Sequence, residues 1–399
     1  MGSCGHHNPR APQMKILILT DGIAPFAMGG MQKHSFHLAQ ELALQGHFVS
    51  LAHCVAAGKN KPSTVEIEEA FGTEAMKNLR VYTFHFPEAA WYPGHYLKES
   101  YAYACQLYDH FHAQADSFDF IYAKGFCGWK WMQEKSNGKK MPPIGVKFHG
   151  YEMFQPPANW KMKLQNWLLQ PPTRWNNTHA DVIFSYGGDI SRIIRDIAPG
   201  KTILEIPTGI TADWIVPQVQ SHAQRAWVFL GRFERRKGIE ELHEAWLALP
   251  EHSGIHLHMI GPIPHSKRIR SKKITYHGSL SNPNDIRAIL DQCEAMIAPS
   301  HSEGMPNSIM EGMARGLAIM TTPVGAIPSI VDTTNGAFVE PGNAKSLETS
   351  MRNWIDMSAE DMLKMRKASR SRVESFRWPV IATRTAEAIS DYLSRHEST

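Results

Sequence analysis

One rhythm constrains this chain more than any other feature: short apolar runs alternate with amphipathic helical patterns along its whole length, and the pattern restarts once. Residues 14–20 read as a buried first strand, followed by a Gly29-Gly30 turn and a helix from about Met31 to Gln45 that Gly46 closes. Further strands are expected at 48–53, 79–86, 118–123, 144–148, 181–185 and 202–206. Strands alternating with helices build a parallel sheet covered on both faces. After Ile206-Pro-Thr-Gly-Ile210 and a polar stretch at 218–225 that reads as a linker, a new first strand begins at 226–230. Strands at 255–260, 274–277, 295–298, 318–321 and 337–339 follow, with helices at 239–249, 284–292 and 307–315 between them. The expected class is α/β, with two Rossmann-like, doubly wound parallel-sheet domains over 14–210 and 211–376. Two helical patterns close the chain at 359–374 and 379–395, and residues 377–399 are expected to cross back to the first domain. Residues 1–13, rich in Gly, His and Pro and preceding a second methionine, read as a tag or disordered leader.

Composition narrows the classes. A chain of 399 residues with 43% hydrophobic and 20% charged residues is ordinary for a globular enzyme of two domains. A net charge of +4 is too weak to argue for nucleic acid, though it suits phosphate-rich ligands or an anionic membrane surface. The five cysteines, Cys4, Cys54, Cys105, Cys127 and Cys293, are scattered and form no CxxC pair. That argues against a disulfide framework or a zinc site and favours a reducing cytoplasm. The sequon Asn176-Asn177-Thr178 is read as a chance match. No run of 18 or more apolar residues occurs, since the closest, 316–331, is broken by Thr321, Thr322, Pro323, Gly325 and Pro328. No membrane span is expected.

Four segments carry candidate chemistry. In Ser300-His-Ser-Glu303-Gly304-Met305-Pro306-Asn307-Ser308-Ile-Met-Glu311-Gly, two carboxylates stand eight positions apart, one in a loop and one in the helix it opens. Gly304 admits close backbone approach, and free N–H groups near Asn307 and Ser308 form an anion site. Glu303 and Glu311 could then accept hydrogen bonds from hydroxyls; the competing reading is a surface loop before a core helix. In Gly231-Arg232-Phe233-Glu234-Arg235-Arg236-Lys237-Gly238, at the end of the restarted first strand, Arg232 offers a fork for phosphate oxygens and Lys237 a point charge. Fixed cations there would stabilise a departing diphosphate without a metal; a solvated basic turn is the alternative. Met28-Gly29-Gly30-Met31-Gln32-Lys33 lacks the GxGxxG spacing, so it is weak evidence for a dinucleotide; it could let a phosphate or sugar approach the backbone, or be only a tight strand-to-helix turn. Lys147-Phe148-His149-Gly150-Tyr151-Glu152 ends a strand, which would put His149 at the interdomain cleft; the competing reading is a structural histidine.

Together these segments resemble the retaining family 4 glycosyltransferases of the GT-B fold, over essentially residues 14–395. The specific motif is Glu, seven residues, Glu within SEGMPNSIMEG; GRFERRKG upstream and TTPVGAIPSIV…NGAFVEPGN downstream strengthen it. The resemblance implies a metal-independent transfer of sugar from a nucleotide diphosphate sugar, with no further cofactor and with the anomeric configuration retained. A UDP-sugar is the commoner guess, GDP-mannose the other. On this reading Glu303 holds the donor sugar hydroxyls, and Gly304, Met305, Asn307 and Ser308 surround the sugar and phosphates. Glu311 takes the ribose, while Arg232 and Lys237 neutralise the diphosphate. Gly30 approaches from the first domain and His149 lies near the reacting carbon, so that His149, Glu303, Arg232 and Lys237 form the catalytic set. Gly278 and Leu280, within His277-Gly278-Ser279-Leu280, lie by the base. The loop carries Met-Pro-Asn where many relatives have Phe-Gly or similar, which leaves the donor sugar open.

The acceptor is expected to be a glycan or a lipid-linked molecule, in cell-surface polysaccharide or glycolipid synthesis, with specificity set by first-domain loops. Residues 126–175 gather Phe126, Trp129, Trp131, Trp160, Trp167 and Trp175 with Lys130, Lys135, Lys139, Lys140, Lys161, Lys163 and Arg174. A helix over 159–169 could lie in a bilayer interface, giving peripheral contact with the inner face of the membrane; the alternative is a packing or sugar-binding cluster. Rival functions are a GT-B UDP-sugar epimerase, an NAD-dependent oxidoreductase and a non-catalytic sugar-nucleotide-binding protein. The oxidoreductase is disfavoured because neither domain start shows GxGxxG with an acidic residue ending the second strand.

Overall fold

The computed structural model describes residues 12–27, 29–88, 94–157, 160–220, 225–250 and 254–396, with the side chains of 160–162 excluded. Residues 1–11, Met28, Asn159, part of the polar linker (221–224) and the side chains of Trp160 and Lys161 therefore lie outside the described residues.

Two parallel sheets form. The first contains β1 (Lys15–Leu19), β2 (Phe48–Val55), β3 (Leu79–His85), β4 (Phe120–Lys124), β5 (Ile144–Lys147), β6 (Val182–Ser185) and β7 (Thr202–Glu205), in the order β3-β2-β1-β4-β5-β6-β7. The second contains β8 (Arg225–Leu230), β9 (Ile255–Ile260), β10 (Ile274–Gly278), β11 (Ala295–Ala298), β12 (Ala318–Thr321) and β13 (Gly336–Phe338), in the order β10-β9-β8-β11-β12-β13. Central strands are continuous apolar runs because helices cover both faces: Ile16, Leu17, Ile18 and Leu19 are all at 0% exposure. The strand order reverses beside β1 in one sheet and beside β8 in the other. At such a switch point the connections leave in opposite directions and open a crevice at the carboxyl ends of the strands. The helices Gly30–Leu44, after β1, and Asn307–Ala314, after β11, start at these two crevices.

Two chain crossings join the halves. Ile210 N–H donates to Phe376 O (2.8 Å) and Trp378 N–H to Ile210 O (3.2 Å), a short parallel bridge. Gly209 has to lack a side chain here, since a methyl group would come within 2.3 Å of the Trp378 ring. The last helix, Trp378–His396, then packs on Gly30–Leu44; Gln45 Nε2 donates to Pro379 O (2.9 Å), and the Trp378 ring meets His34 edge-on at 5.1 Å.

The sequence expectation differs most at residues 159–169. The helix there is Trp160–His179 and runs through Pro171 and Pro172. Prolines remove ladder bonds and normally end a helix. Beyond them, tertiary contacts hold this one: Thr173, Asn176 and Asn177 are at 0% exposure, and Asn177 Oδ1 accepts from Tyr151 Oη (2.7 Å). A helix at Ala344–Ile355 was not anticipated, although Asn343 caps it by accepting from Ser346 N–H. Among the described residues, no helix is long and apolar enough to cross a membrane.

Candidate active site

The loop after β11 turns Glu303 inward. It is 5% exposed, and its Oε1 accepts from Lys237 Nζ (2.5 Å) and Ser300 Oγ (2.7 Å), while Arg236 Nη1 reaches Oε2 at 3.3 Å. Burial pushes the Glu303 carboxyl up, but Lys237 and Arg236 outweigh it and hold the group below the usual carboxylate range. Lys237 and Arg236 come from the single turn Arg235–Lys237 after β8. Arg235 points away, paired with both carboxylate oxygens of Glu241 (2.9 and 2.6 Å). Gly238 lets this turn lie on the Glu303 loop: its φ is +68°, and a methyl group would come 2.0 Å from Pro299 O.

The helix Asn307–Ala314 begins where that loop ends, and no side chain caps it, because Pro306 occupies the capping position. Its first-turn N–H groups therefore face the cleft with the positive end of the helix dipole. Gly30 closes the other side of this point: a methyl group on it would meet His149 Nε2 at 3.0 Å and Asn307 Nδ2 at 3.1 Å.

The first sheet supplies the facing wall. His149 follows β5, and its Nδ1 lies 3.0 Å from Tyr186 Oη. Behind it, Lys124 and Lys147 are the register-paired last residues of β4 and β5, exposed by only 1% and 0%. Lys124 Nζ is 2.9 Å from His34 Nδ1; Lys147 Nζ donates to Ile206 O (2.7 Å) and sits 4.0 Å from the Tyr186 ring centroid. Burial brings Lys124 down to about 7 and Lys147 well below the usual lysine range. Burial raises Asp21 to about 6 against the pull of Lys124. Burial, then the two lysines, lower His149 to about 3, so its imidazole is neutral at ordinary pH.

A cavity of about 480 Å³ unites most of the sequence-predicted residues. Gly30 and His149 line it from the first half, Arg232, Lys237, Glu303 and Gly304 from the second, with Met305, Asn307 and Ser308 at the helix start. Glu311 instead lines an adjoining cavity of about 240 Å³ that shares Gly30 and Asn307. Burial raises the Glu311 carboxyl to about 7, and Lys33 Nζ, 3.9 Å away, only partly offsets this. Gly278 and Leu280 line neither cavity: Gly278 ends β10, its carbonyl accepting from Gly261 N–H (2.8 Å), and Leu280 packs against the core. Arg232 stands at the rim, 73% exposed and paired with Glu234 (3.0 Å), whereas Arg236, singled out by no motif, is 17% exposed and touches Glu303. Tyr186 was missed, and Ser300 and the wall residue Glu152, though inside the candidate segments, were given no role. The close spacing of Arg235, Arg236 and Lys237 hinted at Arg236, and nothing in the sequence hinted at Tyr186. Among the described residues, no group of three or more His, Cys, Asp or Glu could hold a metal.

The aromatic and basic segment divides in two. Trp131 is at 0% exposure, and Trp129 packs on Phe126 at 5.3 Å. Lys130 and Lys139 both pair with Glu134, and Lys135 with Asp181. This part is a packing cluster. Lys163, Leu164, Trp167 and Arg174, at helical spacing on Trp160–His179, remain exposed, with Leu164 at 55% and Trp167 at 66%.

The two halves and the cleft between them define a GT-B architecture. The fold is similar to that of sucrose-phosphate synthase from Thermosynechococcus elongatus (TM-score 0.73, 16% identity, 97% of this chain and 100% of that one). It is also similar to Anabaena Alr3699/HepE in complex with UDP and glucose (TM-score 0.63, 14% identity, 95% and 100%). Residues 224–357 match the family "Glycosyl transferases group 1". A glycogen synthase of Mycobacterium tuberculosis is 23% identical over 94% of both chains. The chain is a glycosyltransferase, and its second half is similar to group 1 of these enzymes.

Proposed function

We propose that the protein moves a sugar from a nucleotide diphosphate sugar to a glycan or lipid-linked acceptor with retention of configuration and without a metal. One observation carries this reading: Lys237, Glu303 and the uncapped start of Asn307–Ala314 share one cavity with His149 of the opposite half. A diphosphate there would meet Lys237, Arg236 and free amides as its charge grows on leaving. Glu303, kept ionised, accepts hydrogen bonds from sugar hydroxyls, and Glu311 accepts them from the ribose. The acceptor oxygen bonds to the anomeric carbon as the carbon–phosphate oxygen bond breaks, and the acceptor proton passes to the departing phosphate. HepE, crystallised with UDP and glucose, favours a UDP-sugar over GDP-mannose as donor. Incubation with UDP- and GDP-sugars tests the reading. Nucleoside diphosphate release that grows with added acceptor, and an α-linked product from an α-linked donor by NMR, support it. Isomerised donor without release supports the epimerase instead.

The exposed stripe of Lys163, Leu164, Trp167 and Arg174 suits a peripheral contact with an anionic bilayer that presents a lipid-linked acceptor. Its helix is tied to the cleft wall, since Asn166 Nδ2 donates to Glu152 O (3.2 Å) and Gln170 Nε2 to Met153 O (2.7 Å). Flotation with anionic liposomes, lost in Trp167→Glu, would support the contact; a protein that stays at the bottom of the gradient would discard it.

A further inference from the structure

We infer that Tyr186 fixes the tautomer of His149, so that His149 presents an N–H to the cleft and serves as a hydrogen-bond donor to a substrate oxygen, not as a base. Tyr186 is 2% exposed, and among the described residues its hydroxyl has one hydrogen-bond partner, His149 Nδ1 at 3.0 Å. Burial raises the phenol well above its ordinary value, so it keeps its proton. A neutral imidazole carries one N–H. If that hydrogen were on Nδ1, it would point at the tyrosine oxygen, and the phenolic hydrogen would be left without an acceptor in a buried place. An unmade buried hydrogen bond is unfavourable. If Tyr186 donates to a bare Nδ1 instead, both groups are satisfied and the histidine hydrogen sits on Nε2. The perpendicular rings, at 89° and 5.7 Å between centroids, set the direction of that nitrogen.

Nε2 has no protein partner among the described residues and faces the cavity beside Gly30 and Asn307 Nδ2. Two donors, His149 Nε2–H and the Asn307 amide, therefore converge there, which suits a phosphate or hydroxyl oxygen. Burial of the ring adds a second constraint by disfavouring a second proton on it, and Lys124 and Lys147 behind it add to this wherever they are charged. His149 thus can neither take a proton readily nor offer a lone pair to the cleft. The role at the reacting centre rests on the proposed sugar transfer; the tautomer does not.

Nitrogen-15 NMR of histidine-labelled protein, with the His149 resonances identified by their loss in His149→Gln, tests the tautomer directly. The expected result is an Nε2–H form that persists from pH 8 to pH 5 and shifts toward Nδ1–H in Tyr186→Phe. An Nδ1–H form in the native protein, or an unchanged spectrum in Tyr186→Phe, would overturn the inference. Kinetics separates positioning from mere structure. Tyr186→Phe is expected to lower kcat about tenfold with the donor KM nearly unchanged, the loss of one oriented hydrogen bond. His149→Gln, whose amide can donate near the Nε2 position, is expected to retain about tenfold more activity than His149→Ala. Equal activity of these two variants would exclude the donor role. An Nε2–H form in a protein that transfers no sugar would keep the tautomer and discard the proposed reaction.

Discussion

Gly304 lies so close to His149 that a methyl group placed on it would come within 2.3 Å of the His149 carbonyl oxygen, across the gap between the two halves of the molecule. Closure of the cleft and the absence of a side chain at residue 304 are thus one requirement. Gly304→Ala is expected to hold the halves apart and to reduce kcat/KM about a hundredfold, since small misplacement of reacting groups is costly. Steady-state kinetics checks this, with small-angle scattering to detect a more open form.

Arg236 and Arg232 sit four residues apart but in different surroundings, one on Glu303 and one at the solvent-facing rim. Arg236→Ala is expected to lose at least tenfold more activity than Arg232→Ala, because exposed pairs contribute little and enclosed ones more. Parallel kinetics of the two variants decides it.

Much of this was legible in the sequence. The alternation of strand and helix gave both sheets, and the Glu303…Glu311 spacing located the loop and helix of the second half. The choice among Arg232, Arg235, Arg236 and Lys237 was not legible, because a one-turn helix sends neighbouring side chains in different directions. Lys124 and Lys147 carry no pattern that sets them apart from surface lysines, yet both are buried. Tyr186 escaped notice because its partner, His149, is 37 residues away. For Trp129 and Trp131 the sequence left a binding surface and a packing cluster both open; they fill the packing between helices, a choice that composition cannot make.

Glu303 is held in its ionised form, so its folded-state pKa lies below the unfolded value. The stability it contributes is present above the unfolded carboxylate pKa and is lost only as pH falls through the lower folded value. Glu303→Gln leaves Lys237 and Arg236 facing a neutral group and is expected to destabilise the protein by about 3 kcal/mol at pH 7. Urea unfolding at pH 7 measures this, and the gap to the native protein is expected to close in acid.

Glu311 has the opposite sign. Its folded-state pKa is about 7, above the ordinary value of 4.5. The folded state therefore holds a proton that the unfolded state has released, and stability falls as pH rises from about 4.5 to about 7. Thermal unfolding across that range is expected to show a pH-dependent decline in the native protein that is weaker in Glu311→Gln.

Calorimetric titration of UDP and GDP into the native protein and Lys237→Ala tests most directly whether a diphosphate occupies the cleft. At least one nucleotide is expected to bind the native protein, and its affinity is expected to fall about tenfold or more in Lys237→Ala, titrated at a temperature where circular dichroism shows the variant still folded. Equal binding by the two proteins, or no binding of either nucleotide to the native one, would contradict it.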